Sequence, residues 1–287
     1  MRILTVPNWS FGRDNGLIRT CRDLLEARQV EIHFLEGDLD HNRSVTAFSG
    51  EANVVGECLL ELGDAILPSI DLNRHVGCHP RIGALDVCPF IPYDASDAES
   101  LNHWVDEFAA EFSERFGLPV FLYEKSEKGR HSRQLPSLRK GGFGGLIADE
   151  IDPDFGPRRA HERWGAAVMG QRDFLIAMNL NLKEERGVIA SNLASRIRSR
   201  RRDDDPMFSG VRALGFMLPS RGISQLSMNL TKPNETYVDQ ILQWGFDAAA
   251  RLGVTVDGTE LIGVIRVRDM EHATLIEPRK EQIVEMR

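Results

Sequence analysis

The stretch Arg74-His75-Val76-Gly77-Cys78-His79-Pro80-Arg81-Ile82-Gly83-Ala84-Leu85-Asp86-Val87-Cys88-Pro89-Phe90 joins two kinds of sequence. Its first part is a glycine- and proline-broken loop, and its second is an apolar run. Two His, two Cys, two Arg and one Asp gather in this one segment. On the N-terminal side, Arg2–Val6 reads as a strand, Gly16–Ala27 as a helix, and Val30–Leu35 as a second strand. A polar acidic loop then runs from Glu36 to Asn42, with a third strand near Ser44–Phe48. Val55, Cys58, Leu59, Leu62 and Ile66 recur at steps of three and four, which marks one apolar face of a helix.

Beyond the loop, Leu101, Trp104, Val105, Phe108 and Phe112 repeat that helical pattern and stop at Gly117, as a helix C-terminus does. Pro119–Tyr123 reads as a strand. Residues 124 to 165 lose the rhythm and carry Gly141-Gly142-Phe143-Gly144-Gly145, so they read as an irregular, functional or mobile stretch. Regular structure resumes with a strand at Phe174–Leu180, a helix over Leu182–Arg200, and strands at Val211–Leu218 and Ile223–Leu230. A last helix carries Val238, Ile241, Leu242 and Leu252 on one side. Arg200-Arg201-Arg202-Asp203-Asp204-Asp205 reads as a solvated turn. Strands alternating with helices in this way predict an α/β (α+β) protein, with sheets layered against helices. A break near Gly170–Asp173 divides the chain into subdomains 1–172 and 173–287.

The 287 residues are 42% hydrophobic and 27% charged. That is the balance of a globular chain with enough apolar surface to offset its conformational entropy. No window reaches the about 18 apolar residues that cross a bilayer, so no membrane partner is expected. The N-terminus turns polar too soon for a secretory signal. Four cysteines in a chain of this length are too few for a disulfide framework, and reduced, cytoplasmic thiols are the simplest reading. With 35 Lys and Arg against 43 Asp and Glu, the net charge is −8. Such a field repels a polyanion, so no nucleic acid is expected; a small anion still fits where arginines converge.

Three clusters carry candidate chemistry. In the His79 loop, Gly77 and Pro80 break the helix that would place His75 and His79 on one face, and no C-x-x-C or H-E-x-x-H frame is present, so no metal is expected. A general acid–base histidine is the alternative, since imidazole moves protons near neutral pH. Pro80 biases His79 toward an extended backbone. From the residues alone, a histidine that only bonds backbone in a tight turn is the simpler reading. The second cluster is Asp38-Leu39-Asp40-His41-Asn42-Arg43, which suits a polar ligand or a capped turn. The third, Asp154-Phe155-Gly156-Pro157 with Arg158, Arg159, Arg163 and Trp164, suits a planar anionic ligand or a basic surface loop.

Taken in order, the clusters resemble the formiminotransferase family. The resemblance runs through Val6-Pro7-Asn8-Trp9-Ser10, Asp40-His41-Asn42-Arg43-Ser44-Val45 and Gly77 to Pro92. It continues in Pro153-Asp154-Phe155-Gly156-Pro157, Trp164-Gly165-Ala166, Phe174–Leu182 and Gln225-Leu226-Ser227-Met228-Asn229-Leu230, and so covers nearly the whole chain. The run H-P-R-[IM]-G-A-L-D-V-C-P-F-I-P is too long for chance.

The resemblance implies transfer of the formimino group from N-formimino-L-glutamate to N5 of tetrahydrofolate, the co-substrate. It implies two α/β subdomains, each a mixed sheet layered with helices, with the folate in a cleft between them and a homodimer as the usual assembly. The cyclodeaminase domain fused to it in some relatives is not expected here. The family's catalytic base falls on His79, and its folate-contacting loop on Gly156 to Gly165, which brings in Gly156, Pro157, Arg158, Arg159, Arg163, Trp164 and Gly165. Arg43 and Arg81 join them as substrate-binding candidates, because guanidinium pairs with the carboxylates of folate and glutamate, and Asn42 joins as the amide of the same polar turn. The chain departs from the family pattern at Phe11, where Glu is usual, at Glu36, where Asp is expected, and at Arg266, where Pro is usual. Another one-carbon donor, such as formiminoglycine or 5-formyltetrahydrofolate, fits the same sequence. So does a folate-binding protein without turnover.

Overall fold

The computed structural model describes residues 1–132 and 134–286. Residue 133, inside the expected irregular stretch, and residue 287, the expected end of the second subdomain, lie outside the described residues. The chain divides into two compact units, Met1–Arg172 and Asp173–Met286.

The first unit is built on a seven-stranded mixed sheet. Strands β1 (Arg2–Thr5) and β2 (Asn8–Trp9) form one broken central strand. Pro7, which has no N–H to give, sits at the break. Both pieces pair antiparallel with β4 (Arg43–Glu51) and with β5 (Leu85–Pro92), while β3 (Glu31–Asp38) pairs with β4. Beyond β5 the sheet turns parallel, through β7 (Ala167–Gln171) to β6 (Val120–Leu122).

Three helices cover one face: α1 (Asn15–Ala27), α2 (Ala52–Ile66) and α3 (Ala98–Phe116). Asp14 caps α1 by accepting from Gly16 N at 2.8 Å and Leu17 N at 3.1 Å. Gly117 ends α3 in the left-handed conformation at φ +62°. Trp9, Phe48, Leu59, Leu62, Phe90 and Phe112 are fully enclosed in the resulting core. Each such side chain contributes about 1.5–3 kcal/mol of burial free energy. The opposite face is apolar around Ile82, Val87, Phe121, Tyr123 and Val168. There it is covered by Leu135 and Leu138 of α4 (Leu135–Leu138) and Leu146 of α5 (Gly142–Ala148). The stretch expected to be irregular thus contains two short helices laid on the sheet.

The second unit is a four-stranded antiparallel sheet in the order β11 (Val256–Ile262), β8 (Ile176–Leu182), β10 (Ile223–Leu230), β9 (Val211–Leu218). Helix α6 (Val188–Arg202) packs on β9 and β10, and α7 (Val238–Arg251) packs on β8. The expected helix over Leu182–Arg200 begins later, because β8 runs on to Leu182 and Gly187 takes φ +71° immediately before α6. Leu252, expected on the apolar side of the last helix, lies past its end and is 41% exposed. The pairings Gln225 with Asn181 and Glu260 with Asn179 place these four polar side chains on one face. Glu260 accepts from Asn181 at 2.8 Å and Arg221 at 2.7 Å, and Gln225 donates to Asn181 at 2.9 Å. Strands β12 (Ile265–Arg266) and β13 (Ile283–Val284) pair in parallel. Arg266 is buried there, chelated by Asp269 at 2.6 and 2.8 Å and stacked over Phe174.

Candidate functional site

Asp86 is the anchor of the candidate site, and the sheet register explains its position. Adjacent residues Asn8 and Trp9 of β2 oppose Val87 and Leu85 of β5, so Asp86 is the extra residue of a bulge. A bulge re-aims the side chain it carries. The carboxylate is completely buried and accepts three donors. Oδ1 takes the Ile82 N–H at 2.8 Å. Oδ2 takes Nη2 of Arg43, the first residue of β4, and Nη2 of Arg139, which follows α4, the latter at 2.5 Å. Burial would raise this carboxyl, but the guanidinia of Arg139 and Arg43 outweigh it and hold the group below its ordinary value.

The other end of Arg43 meets His79: Nη1 contacts the ring at Nδ1. The Pro80 carbonyl lies 2.9 Å from the same nitrogen. Loss of solvent around the ring, with Arg43 and Arg139 beside it, lowers His79 well below the ordinary histidine value. The imidazole is therefore neutral at physiological pH. Burial and the neighbouring cations also bring Arg43 down to about 9, still protonated near neutrality. The ring of His41 stands edge-on to His79, with centroids 5.8 Å apart.

Arg81 and Asn42 knit the surrounding loops together. The Arg81 guanidinium donates to the carbonyls of His41 at 2.6 Å, Asn42 at 3.0 Å and His79 at 3.0 Å, and contacts His75 Nε2 at 2.7 Å. Asn42 takes φ +45°, a conformation asparagine tolerates. Its side chain accepts from Gly12 N at 3.0 Å and donates to the Val76 carbonyl at 3.1 Å. Burial and Arg81 lower His75 to about 4. Cys78 Sγ lies 3.2 Å from His41 Nδ1, and desolvation with Asp38 raises its thiol to about 11, so it is held as the thiol.

The 156–165 loop reaches this site through its last residues. Gly165 bridges Gly83, Ala84 N donates to Trp164 O at 2.9 Å, and Ala166 N donates to Ile82 O at 3.1 Å. Glycine is required at Gly165: a Cβ there would lie 1.9 Å from the Ile82 carbonyl. Trp164 stacks on His161, with centroids 4.2 Å apart and planes 7° apart. Arg163 donates to the carbonyls of Pro68 and Ile70, both at 3.2 Å. Gly156 packs against the end of α3, where a Cβ would meet Ser113 Oγ at 2.2 Å. Arg158 pairs with Asp152 at the surface at 3.3 Å, and Pro157 and Arg159 are exposed.

The structure thus brings His79, Arg43, Arg81 and Asn42 together, and joins Trp164 and Gly165 to them through Gly83. Arg139 had no signal in the sequence beyond its place among glycines and basic residues. Asp86 had one, a lone acid inside an apolar run. Among the described residues, no three His, Cys, Asp or Glu side chains form a group that would hold a metal ion. Among them, too, no helix is long and apolar enough to cross a membrane.

Residues 2–172 match the family model "Formiminotransferase domain, N-terminal subdomain", and residues 177–286 match "Formiminotransferase domain". The chain belongs to the formiminotransferase family. It is 31% identical to a glutamate formimidoyltransferase of Streptococcus pyogenes serotype M1, over 90% of this chain and 87% of that one. It is 32% identical to one of Thermoplasma acidophilum, over 91% and 86%. A formimidoyltransferase-cyclodeaminase of Dictyostelium discoideum is 32% identical over 91% of this chain. The chain spans about half the length of the fused formimidoyltransferase-cyclodeaminases it matches. In formiminotransferase terms, the H-P-R-I-G run lies at the Asp86-anchored loop, and the segment after D-F-G-P ends on Gly83.

Proposed function

We propose that this formiminotransferase moves the formimino group from N-formimino-L-glutamate to N5 of tetrahydrofolate, with His79 carrying the protons. N5 attacks the formimino carbon and forms the new C–N bond. His79 accepts the N5 proton and returns it to the glutamate nitrogen, whose bond to carbon then breaks. The products are 5-formiminotetrahydrofolate and L-glutamate. One imidazole serves both steps because it is neutral before each turnover and is restored after it.

The observation that carries this reading is the buried Arg43–Asp86–Arg139 group against a neutral His79, beside the loop that ends at Gly165. Its surplus of positive charge favours a dicarboxylate donor and the glutamyl tail of folate. On this reading Asn42 and Arg81 hold the loop backbone in place, while Arg158 and Arg159 offer exposed charge to the tail.

The test is a spectroscopic assay of the purified protein with tetrahydrofolate and N-formimino-L-glutamate, each rival donor run in parallel. Turnover with formiminoglycine or 5-formyltetrahydrofolate but not formiminoglutamate would replace the donor. A ligand-induced melting shift with no turnover on any donor would make the protein a folate binder.

A further inference from the structure

Two groups of opposite character meet one nitrogen of His79. The Arg43 guanidinium at Nδ1 has only N–H groups to offer, and the Pro80 carbonyl, 2.9 Å from Nδ1, has only lone pairs. A neutral imidazole carries one N–H. When Nδ1 accepts from Arg43, the proton is on Nε2. When Nδ1–H donates to Pro80, Nε2 carries the lone pair. The two arrangements exclude each other, and only the second lets His79 take a proton at Nε2.

Arg43 is not free to drift. Its Nη2 is held by Asp86, which Arg139 and the Ile82 N–H grip from other sides at 2.5 and 2.8 Å. Among the described residues, the charged and titratable groups around the ring include Arg43, Arg139 and His41, with Asp86 as a carboxylate and Arg81 in the same loop. Loss of solvent, and the excess of cations over carboxylate among these groups, oppose the ring's charged form, so its two neutral tautomers are the states that compete. A charge-assisted donor is the stronger partner of the two.

We propose that Arg43 is a positioning residue that decides which nitrogen of His79 holds the proton. In the resting protein Arg43 donates to Nδ1 and the proton stays on Nε2, which keeps the ring from acting as a base. A carboxylate that draws the Arg43 N–H away releases Nδ1 to donate to Pro80, and Nε2 then accepts. The exchange moves one proton between ring nitrogens through solvent and changes no net charge. The consequence for turnover rests on the formimino-transfer reading; the tautomer itself does not.

The experiment is long-range ¹H–¹⁵N correlation on protein carrying ¹⁵N-labelled histidine, with the His79 signals assigned by their loss in His79→Gln. The expected resting spectrum at neutral pH is the Nε2–H tautomer. Arg43→Met should convert it to Nδ1–H and move its protonation up toward the ordinary histidine range, whereas Arg43→Lys, which keeps a donor, should restore Nε2–H at least in part. Arg139→Met, which leaves the Nδ1 contact in place, should raise the protonation pH without changing the tautomer. Saturating L-glutamate, the probe carboxylate, should shift wild type toward Nδ1–H. A resting Nδ1–H ring in wild type overturns the proposal, and needs no variant to fold. No response to L-glutamate in a protein that turns over formiminoglutamate overturns the release step. A resting Nε2–H ring in a protein inactive on every donor leaves the tautomer standing and removes the activity reading instead.

Discussion

Arg43 and Arg139 donate to the same oxygen of Asp86, Oδ2, from widely separated positions in the first unit's sequence. One carboxylate between two guanidinia leaves positive charge in excess, and His79 lies against one of the two. Together with loss of solvent around the ring, this relationship keeps the histidine neutral. It also ties the α4 segment to the sheet by a polar bond as well as by Leu135 and Leu138.

Asp86→Asn is close in shape but leaves both guanidinia without their counter-charge. Removing one partner of a buried ion pair costs about 3–5 kcal/mol. Urea unfolding should show a fall of that size in the stability of the first unit. A loss in the range of an exposed pair, below about 1 kcal/mol, would mean that solvent or another acid replaces the carboxylate.

Gly165→Ala should destabilise more than the left-handed backbone alone accounts for. Gly165 has φ +69° and Gly129 has φ +85°, but nothing lies within 4 Å of a Cβ at Gly129. Gly129→Ala should therefore cost only the conformational strain, roughly 1–2 kcal/mol. Gly165→Ala adds a collision with the Ile82 carbonyl and pushes the 161–165 turn off Gly83. Equal melting temperatures for the two variants would show that the bridge yields easily.

How far the sequence discloses this architecture depends on the length over which each pattern persists. The face of α2 was legible because Val55, Leu59, Leu62 and Ile66 keep helical spacing through most of a fifteen-residue helix. Strands β9 and β10 appear with the bounds the pattern predicted, Val211–Leu218 and Ile223–Leu230. Helices α4 and α5, of four and seven residues, are too short to show a period, and glycine dominates the second. Strand β7, Ala-Val-Met-Gly-Gln, is buried at every position and shows no alternation. His79 and Arg43 stood out by residue type and motif. Arg139 did not, because its bond to Asp86 depends on a bulge in the register and on a helix visible only in three dimensions.

Arg159 and Arg163 should behave differently although they share one loop. Arg163 donates to two carbonyls after α2, so Arg163→Ala should lower the melting temperature. Arg159 is exposed, and Arg159→Ala should leave stability unchanged. If Arg159 binds the glutamyl tail, its removal should raise the tetrahydrofolate KM with little change in kcat, by the about 1.5–3 kcal/mol of a charged hydrogen bond. Unchanged KM in both Arg158→Ala and Arg159→Ala would place the tail elsewhere.

Stability should fall in mild acid because of His75. Burial and Arg81 lower its folded value to about 4, while the unfolded chain titrates near 6.5. Between those limits the unfolded state binds more protons, so unfolding free energy rises with pH across the window and is lost as pH drops through it. His79, lowered in the same direction, adds to the effect. With partial exposure discounted, the His75 contribution is on the order of 2 kcal/mol. His75→Gln should flatten that part of the profile in urea titrations from pH 7 to pH 4. A His75→Gln profile parallel to wild type would remove His75 as the source.

His79→Ala should lower kcat by about 10²–10⁴, the worth of a positioned acid–base group. Tetrahydrofolate binding should survive, because the substitution leaves Arg43, Asp86 and Arg139 bonded to one another. The sequence alone places the ionisation of this group in the ordinary histidine range. Loss of solvent around the ring, with Arg43 and Arg139 against it, moves it lower in the structure. A base must be unprotonated to act, so wild-type kcat/KM should hold steady down through pH 6.5 and fall only in stronger acid. Arg139→Met, with one cation removed, should bring that fall to higher pH. Steady-state kinetics across pH on both variants, beside a tetrahydrofolate titration, checks each step. Activity of His79→Ala within about tenfold of wild type would take His79 out of the mechanism and leave Asp86, His41 and His75 as the next candidates.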